Sequence, residues 1–192
     1  MKRRIFGVND IIEAQLEIKK MSEVSKALMA SKWEWEHYRA GELIDKWTET
    51  NICTDEGLNK LLDVCFSAAT QITDWYVLIY NTNTTPTAAM TYSTPLFTES
   101  THYSEANRPE WQDGGVASKS VDNSANKASF TMSTAETIYG AALVGGGSAA
   151  STKGDTAGGG VIYNVSDFSA GSKTVASDDV LKVTVTLQAT DV

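Results

Sequence analysis

Chemistry in this sequence would have to come from a short list of side chains. His37 and His102 are the two imidazoles, and neither sits in a ligand spacing such as HxxxH. A zinc or non-haem iron site would therefore need parts brought together over long range. Cys53 and Cys65 do not form a metal spacing, and two cysteines are too few for a disulfide framework. The segment Gly145-Gly-Gly-Ser-Ala-Ala-Ser-Thr-Lys-Gly-Asp-Thr shares glycine, serine and lysine with a phosphate loop. That loop needs Gly-Lys-Ser/Thr opening a helix, so that amides and the ammonium meet the phosphates. Here Lys153 precedes Gly154 and Asp155, and Val161-Ile-Tyr reads as a strand. Order and context both fail, and the segment reads as a hairpin loop in which glycine supplies backbone freedom. No GxSxG elbow is present, and no Cys–His–Asp arrangement can be read. Asp55–Glu56 and Asp178–Asp179 suit a helix start and a turn. The separation that defines a glycosidase acid pair is a three-dimensional quantity, but the sparse charge of the downstream region argues against a buried dyad. The expectation is a chain with no catalytic residue, no cofactor and no metal.

One polar cluster remains. Arg108 lies near Glu105, Glu110 and Trp111 in a proline-marked loop. Its planar fork suits either an ion pair that fixes the loop or a contact with a partner, and the structural role is preferred.

The elements that would position these residues turn on residues 51–80. Thr54 can cap a helix, and Asp55 and Glu56 place negative charge at its positive end. Leu58, Leu61, Leu62, Cys65 and Phe66 follow at helical spacing, so the pattern predicts a helix over about 54–68 with that face in the core. Trp75 to Tyr80 (WYVLIY) is a run of strand formers. Upstream, residues 9–32 hold neither Gly nor Pro after a capping Asn9 or Asp10, and are rich in helix formers. Ile12, Leu16, Met21, Val24 and Leu28 run along one side. Such a helix needs a surface to lie on. Trp33-Glu-Trp-Glu-His-Tyr then alternates at period two, which favours a strand or extended segment. Trp33, Trp35 and Trp47 suit either the base of the body or a contact with a neighbouring subunit.

Downstream, an irregular region to about Gly115 holds all three prolines, Pro86, Pro95 and Pro109. Strand patterns return at 128–133, 137–144, 160–165 and 180–187, separated by turn clusters. The fold class expected is mainly β, an antiparallel β-sandwich or jelly-roll-like body over 41–192 with one packed helix, preceded by a helical or extended N-terminal arm over 1–40.

Charge narrows the partners. The net charge is −8 and the isoelectric point about 4.7. Of 16 basic and 24 acidic side chains, nine of each fall within residues 1–50. The remaining seven basic and 15 acidic lie downstream, so the excess belongs to the β region. An acidic body repels nucleic acid. The Lys-Arg-Arg start lacks a following apolar stretch, and no run approaches the roughly 18 apolar residues of a membrane span. Neither a nucleic-acid nor a membrane partner is expected.

Several motifs are similar to those of a group of tailed-bacteriophage virion proteins. Gly41-Glu-Leu-Ile-Asp, Asn51-x-x-Thr-Asp-Glu-Gly-Leu-Asn-x-Leu-Leu-Asp-Val and Trp75-Tyr-x-x-Ile-Tyr resemble their opening. Glu105-Ala-Asn-Arg-Pro-Glu-Trp, Asn123-Ser-Ala-Asn-Lys-Ala-x-Phe-Thr, Thr137-Ile-Tyr-Gly-Ala-Ala-Leu-Val and Asp179-Val-Leu-Lys-Val-Thr-Val-Thr-Leu extend the match over about residues 41–188. The resemblance implies a structural component of the virion, assembled in the host bacterial cytoplasm, where thiols stay reduced. Among places in the virion, a decoration (cement) protein on the capsid exterior suits a small β-module with an arm, since an arm multiplies contacts at one tether. Its partners would be the major capsid protein and further copies of itself, as a trimer or dimer. Ile12, Leu16, Met21, Val24, Leu28, Trp33, Trp35, Tyr38, Arg108 and Trp111 are the expected partner-binding residues. The alternatives are a tail, head-fibre or head–tail connector component, or a carbohydrate-binding module using Tyr103 and Trp111.

Overall fold

A computed structural model describes residues 27–191. The chain divides into a compact body, Met29–Ala189, and a second unit of Met1–Leu28 with Thr190–Val192. Of the helix expected over 9–32, residues 9–26, with Ile12, Leu16, Met21 and Val24, lie outside the described residues.

The body is mainly β and its paired strands run antiparallel. Strands β1 (Ala27–Arg39), β2 (Glu42–Glu49), β5 (Ser120–Asp122), β6 (Ala128–Thr131) and β11 (Val180–Asp191) make one sheet, in the order β2-β1-β11-β5 with β6 also on β11. Strands β3 (Ile52–Cys53), β4 (Trp75–Tyr80), β8 (Gly140–Gly145) and β9 (Val161–Asp167) make a second, ordered β3-β9-β8-β4. Strands β7 (Glu136–Ile138) and β10 (Lys173–Val175) pair separately. Helix α1 covers Asp55–Phe66.

The first correction concerns residues 27–32. They open strand β1 and are not the end of a helix, while Trp33–Arg39, which alternate as the sequence suggested, pair with β2. The helix propensity of residues 27–32 gives way to alternation: Ser31, Trp33, Trp35 and His37 are buried while Lys32, Glu34, Glu36 and Tyr38 face outward to varying degrees. The turn to β2 places Ala40 at φ 51° and Gly41 at φ 85°, the paired positive values of a tight hairpin. A register shift opposite His37 and Tyr38 follows.

The main core takes Trp33, Trp35, Phe130, Leu181, Val183 and Val185 from the first sheet. From the second it takes Val77, Ile79, Ala141, Leu143 and Tyr163. A second cluster joins Leu78, Tyr80, Ala142, Val144 and Ile162 to Met90, Tyr92 and Phe97 of the 81–115 region. The second sheet is thus buried on both faces, which is why WYVLIY is an unbroken apolar run. The irregular region also closes the free edge of β4. Val77 N donates to Pro109 O at 2.9 Å, Ser100 N to Ile79 O at 2.8 Å and Trp111 N to Trp75 O at 2.7 Å. An exposed strand edge would invite pairing with another chain.

Helix α1 begins as expected, with the Thr54 hydroxyl accepting from Gly57 N at 3.0 Å. Its packing differs. Gly57 is the one buried residue of the helix, and Leu62, Cys65 and Phe66 are exposed. The reading of this stripe as core is corrected: α1 approaches the sheet through Gly57, Leu58 and Leu61 are half-buried, and Leu62, Cys65 and Phe66 point away.

Candidate functional site

The polar constellations close upon themselves. The Arg108 side chain is buried, and each of its N–H groups is used. Nε and Nη2 donate to Glu99 at 2.9 and 2.6 Å, Nη1 to Tyr92 Oη and Ala150 O at 2.9 Å each, and Nη2 also to Asp155 O at 2.8 Å. Burial alone would lower the guanidinium, but the Glu99 carboxylate and Tyr92 hydroxyl raise it above its ordinary value. Tyr92 Oη donates onward to Asp155 Oδ2 at 2.9 Å. This cluster ties the 81–115 region to the β8–β9 connection. The ion-pair partner is Glu99, where the sequence suggested Glu105 or Glu110. Glu105 instead accepts from Thr131 N at 3.1 Å.

Asp179 forms the second node. It is buried in the turn before β11 and accepts from His37 Nε2 at 2.7 Å, Arg39 Nε at 2.8 Å, Arg39 Nη2 at 2.7 Å and Ala176 N at 2.7 Å. The Arg39 bonds, ahead of the cost of burial, hold its carboxyl far below the usual range. Four donors on one carboxylate make a staple between β1 and β11.

A Ser–Glu–His set also forms. Ser100 Oγ donates to Glu136 Oε2, while His102 Nδ1 lies 3.1 Å from Glu136 Oε1 and Asn81 Nδ2 donates to the same oxygen at 2.7 Å. The carboxylate stands between hydroxyl and imidazole. Nucleophilic activation needs the base on the hydroxyl, and this order does not supply it. Among the described residues no cluster of His, Cys, Asp or Glu is arranged to hold a metal ion, and both thiols are free.

The expected partner-binding residues separate into three groups. Ile12, Leu16, Met21 and Val24 fall outside the described residues. Trp33, Trp35, Arg108 and Trp111 are buried within this chain, with both β1 tryptophans 0% exposed and Trp111 Nε1 donating to Val185 O at 3.0 Å. They are covered before any partner arrives. Leu28 and Tyr38 keep surface; Tyr38 donates to Glu36 at 3.0 Å and lies under the Lys182 ammonium. Tyr103 and Trp111, the sugar-stacking candidates, are both buried, so their ring faces are closed to a glycan.

Unsatisfied surface lies elsewhere, and it is apolar. Phe66 is 83% exposed with Leu62 one turn before it, and Val116 is 80% exposed. Between α1, the start of β4 and the β5–β11 end runs a groove of about 490 Å³, with Leu61, Ile72, Trp75, Leu143, Tyr163 and Leu187 in its lining. Leu43 and Ile44 open at the β1–β2 hairpin, Leu43 opposite Tyr38 and Ile44 at the register shift. Helical periodicity alone cannot tell which stripe of α1 faces the body; Gly57 was the available signal, since only a residue without Cβ permits so close an approach.

No known protein family, curated protein or solved structure matches the chain.

Proposed function

We propose that this chain is a non-enzymatic structural component of a tailed-bacteriophage virion. It binds the major capsid protein lattice on the capsid exterior as a homo-oligomeric decoration protein, with its two larger sheets forming a β-sandwich. One observation carries the reading: the buried polar clusters are spent on internal bonds, whereas large apolar side chains stand open at α1, the adjoining groove and the hairpin. Open apolar surface of this kind marks interaction sites. The motif resemblance over residues 41–188 supplies the virion setting. The contact surface proposed here differs from the tryptophans and Arg108, which the body has already used.

The test is co-sedimentation of purified protein with capsids that lack it. Saturable binding is expected, weakened about tenfold or more by Phe66→Asp, which places an unpaired charge in the contact. Loss of binding to capsids altogether, with immunogold label on tails or portals, would move the protein to the tail, head-fibre or connector reading.

A further inference from the structure

We propose that the polar cleft between α1, the 70–74 loop and the start of the β8–β9 connection binds a neutral sugar ring of a glycan. Such a site is independent of the virion reading, and purified protein suffices to test it.

The cleft holds about 410 Å³, within the range of small-ligand sites. Lys60 lines it from α1, Thr70, Gln71 and Asp74 from the loop before β4, and Ser148 and Ser151 from the β8–β9 connection. Tyr76 and Ile72 add apolar surface. The walls are built before any ligand arrives. Gly146 and Gly147 turn the chain at φ 71° and 66°, Ser148 N donates to Gly158 O at 2.8 Å, and Arg108 N donates to Ser151 O at 2.8 Å. A preformed site avoids the entropic cost of ordering its parts on binding. The buried polar clusters are spent on internal bonds, but the more exposed groups around this cleft are not. Among the described residues, the Lys60, Thr70 and Gln71 side chains have no bonding partner, and the Asp74 carboxylate accepts from its neighbour Thr73 at 3.2 Å. Lys60 and Asp74 therefore line one cleft without pairing to each other. That mixture selects the ligand class. Asp74 opposes a simple anion and Lys60 a simple cation, while the hydroxyl and amide groups oppose an apolar guest. A sugar ring meets all three conditions. Each of its hydroxyls both donates and accepts, as do Gln71, Thr70 and the two serines, and its C–H face can lie on Tyr76.

Isotope-labelled full-length protein is titrated with glucose, galactose, mannose and N-acetylglucosamine, and separately with inorganic phosphate, while the backbone amide resonances are followed. Saturable shifts with at least one sugar are expected at Gly146–Ser148 and Gln71–Tyr76, with a Kd on the order of 1 mM, as suits a ligand of so few atoms. Gln71→Ala and Lys60→Gln alter side chains that hold no other group, so the melting temperature should stay unchanged while the Kd rises about fivefold or more. No shift with any of these sugars, shifts confined to residues outside the cleft, an unaltered Kd in both variants, or phosphate acting on the same amides as strongly as the sugars would each overturn the proposal.

Discussion

Arg108 shows how much one side chain can decide. Its fork meets a buried carboxylate and a phenol of the 81–115 region and two carbonyls of the β8–β9 connection, so truncation strands the Glu99 charge in the interior. Arg108→Ala is expected to cost about 3–5 kcal/mol, the range for breaking a buried pair, read as a lower urea midpoint at unchanged slope. Glu99→Gln combined with Arg108→Met should recover part of that loss, because no uncompensated charge remains. Ala40 offers the opposite sign. It holds a left-handed conformation at φ 51°, which costs a residue with a Cβ about 1–2 kcal/mol. Ala40→Gly should therefore stabilise by up to about 1 kcal/mol and raise the melting temperature by about 2–4 °C. A melting temperature at or below that of the parent would show that the hairpin turn relaxes in solution.

At the level of elements, α1 separates what the sequence could reveal from what it could not. Its boundaries and Thr54 cap were legible, because capping chemistry is local. Its orientation was not. Leu58, Leu62 and Phe66 share a stripe, yet Gly57 meets the sheet, and periodicity carries no sign for inside. A Cβ built on Gly57 would stand 2.6 Å from Tyr163 Cα and its carbonyl oxygen. Gly57→Ala is thus expected to destabilise by about 1–3 kcal/mol through overpacking, although alanine is the better helix former. A more stable Gly57→Ala protein would mean that α1 slides freely on β9. WYVLIY was legible as a strand, and its unbroken apolar run is explained by burial on both faces. Residues 27–32 misled for a related reason: good helix formers also fill a strand when Ser31, Trp33, Trp35 and His37 fall on the inward positions. The partner of Arg108 was hidden because Glu99 reaches it through the fold of a long irregular region, a relation that no local spacing encodes.

Across the whole molecule, the acidic excess has a structural use. Glu56 accepts from Tyr92 N and Ile162 N, Glu49 from Ser169 N, Glu99 from Gly154 N and Asp155 from Gly158 N. In a body with long connections, carboxylates serve as ties for backbone amides. The consequence is a pH dependence with a definite sign. Asp179, Asp155, Asp122, Asp45 and Glu36 are all held below their ordinary values, chiefly by hydrogen bonds from Arg39, Tyr92, Ser124, Lys173 and Lys127 respectively. Groups lowered in the folded state contribute stability that is present above the unfolded carboxylate range, about pH 4, and lost as pH falls through the folded values. At the alkaline end burial raises Tyr80, Tyr103 and Tyr163, the last to about 12. Their contribution is complete below the unfolded phenol value of about 10 and disappears as pH rises through the folded one. The melting temperature should form a plateau between about pH 5 and pH 9 and fall on both sides. Asp179→Asn should lower the plateau and flatten the acid limb, since Arg39 and His37 then lose a carboxylate that no longer titrates. An acid limb as steep in Asp179→Asn as in the parent would assign acid sensitivity to the other carboxylates and leave the β1–β11 staple without a part in it.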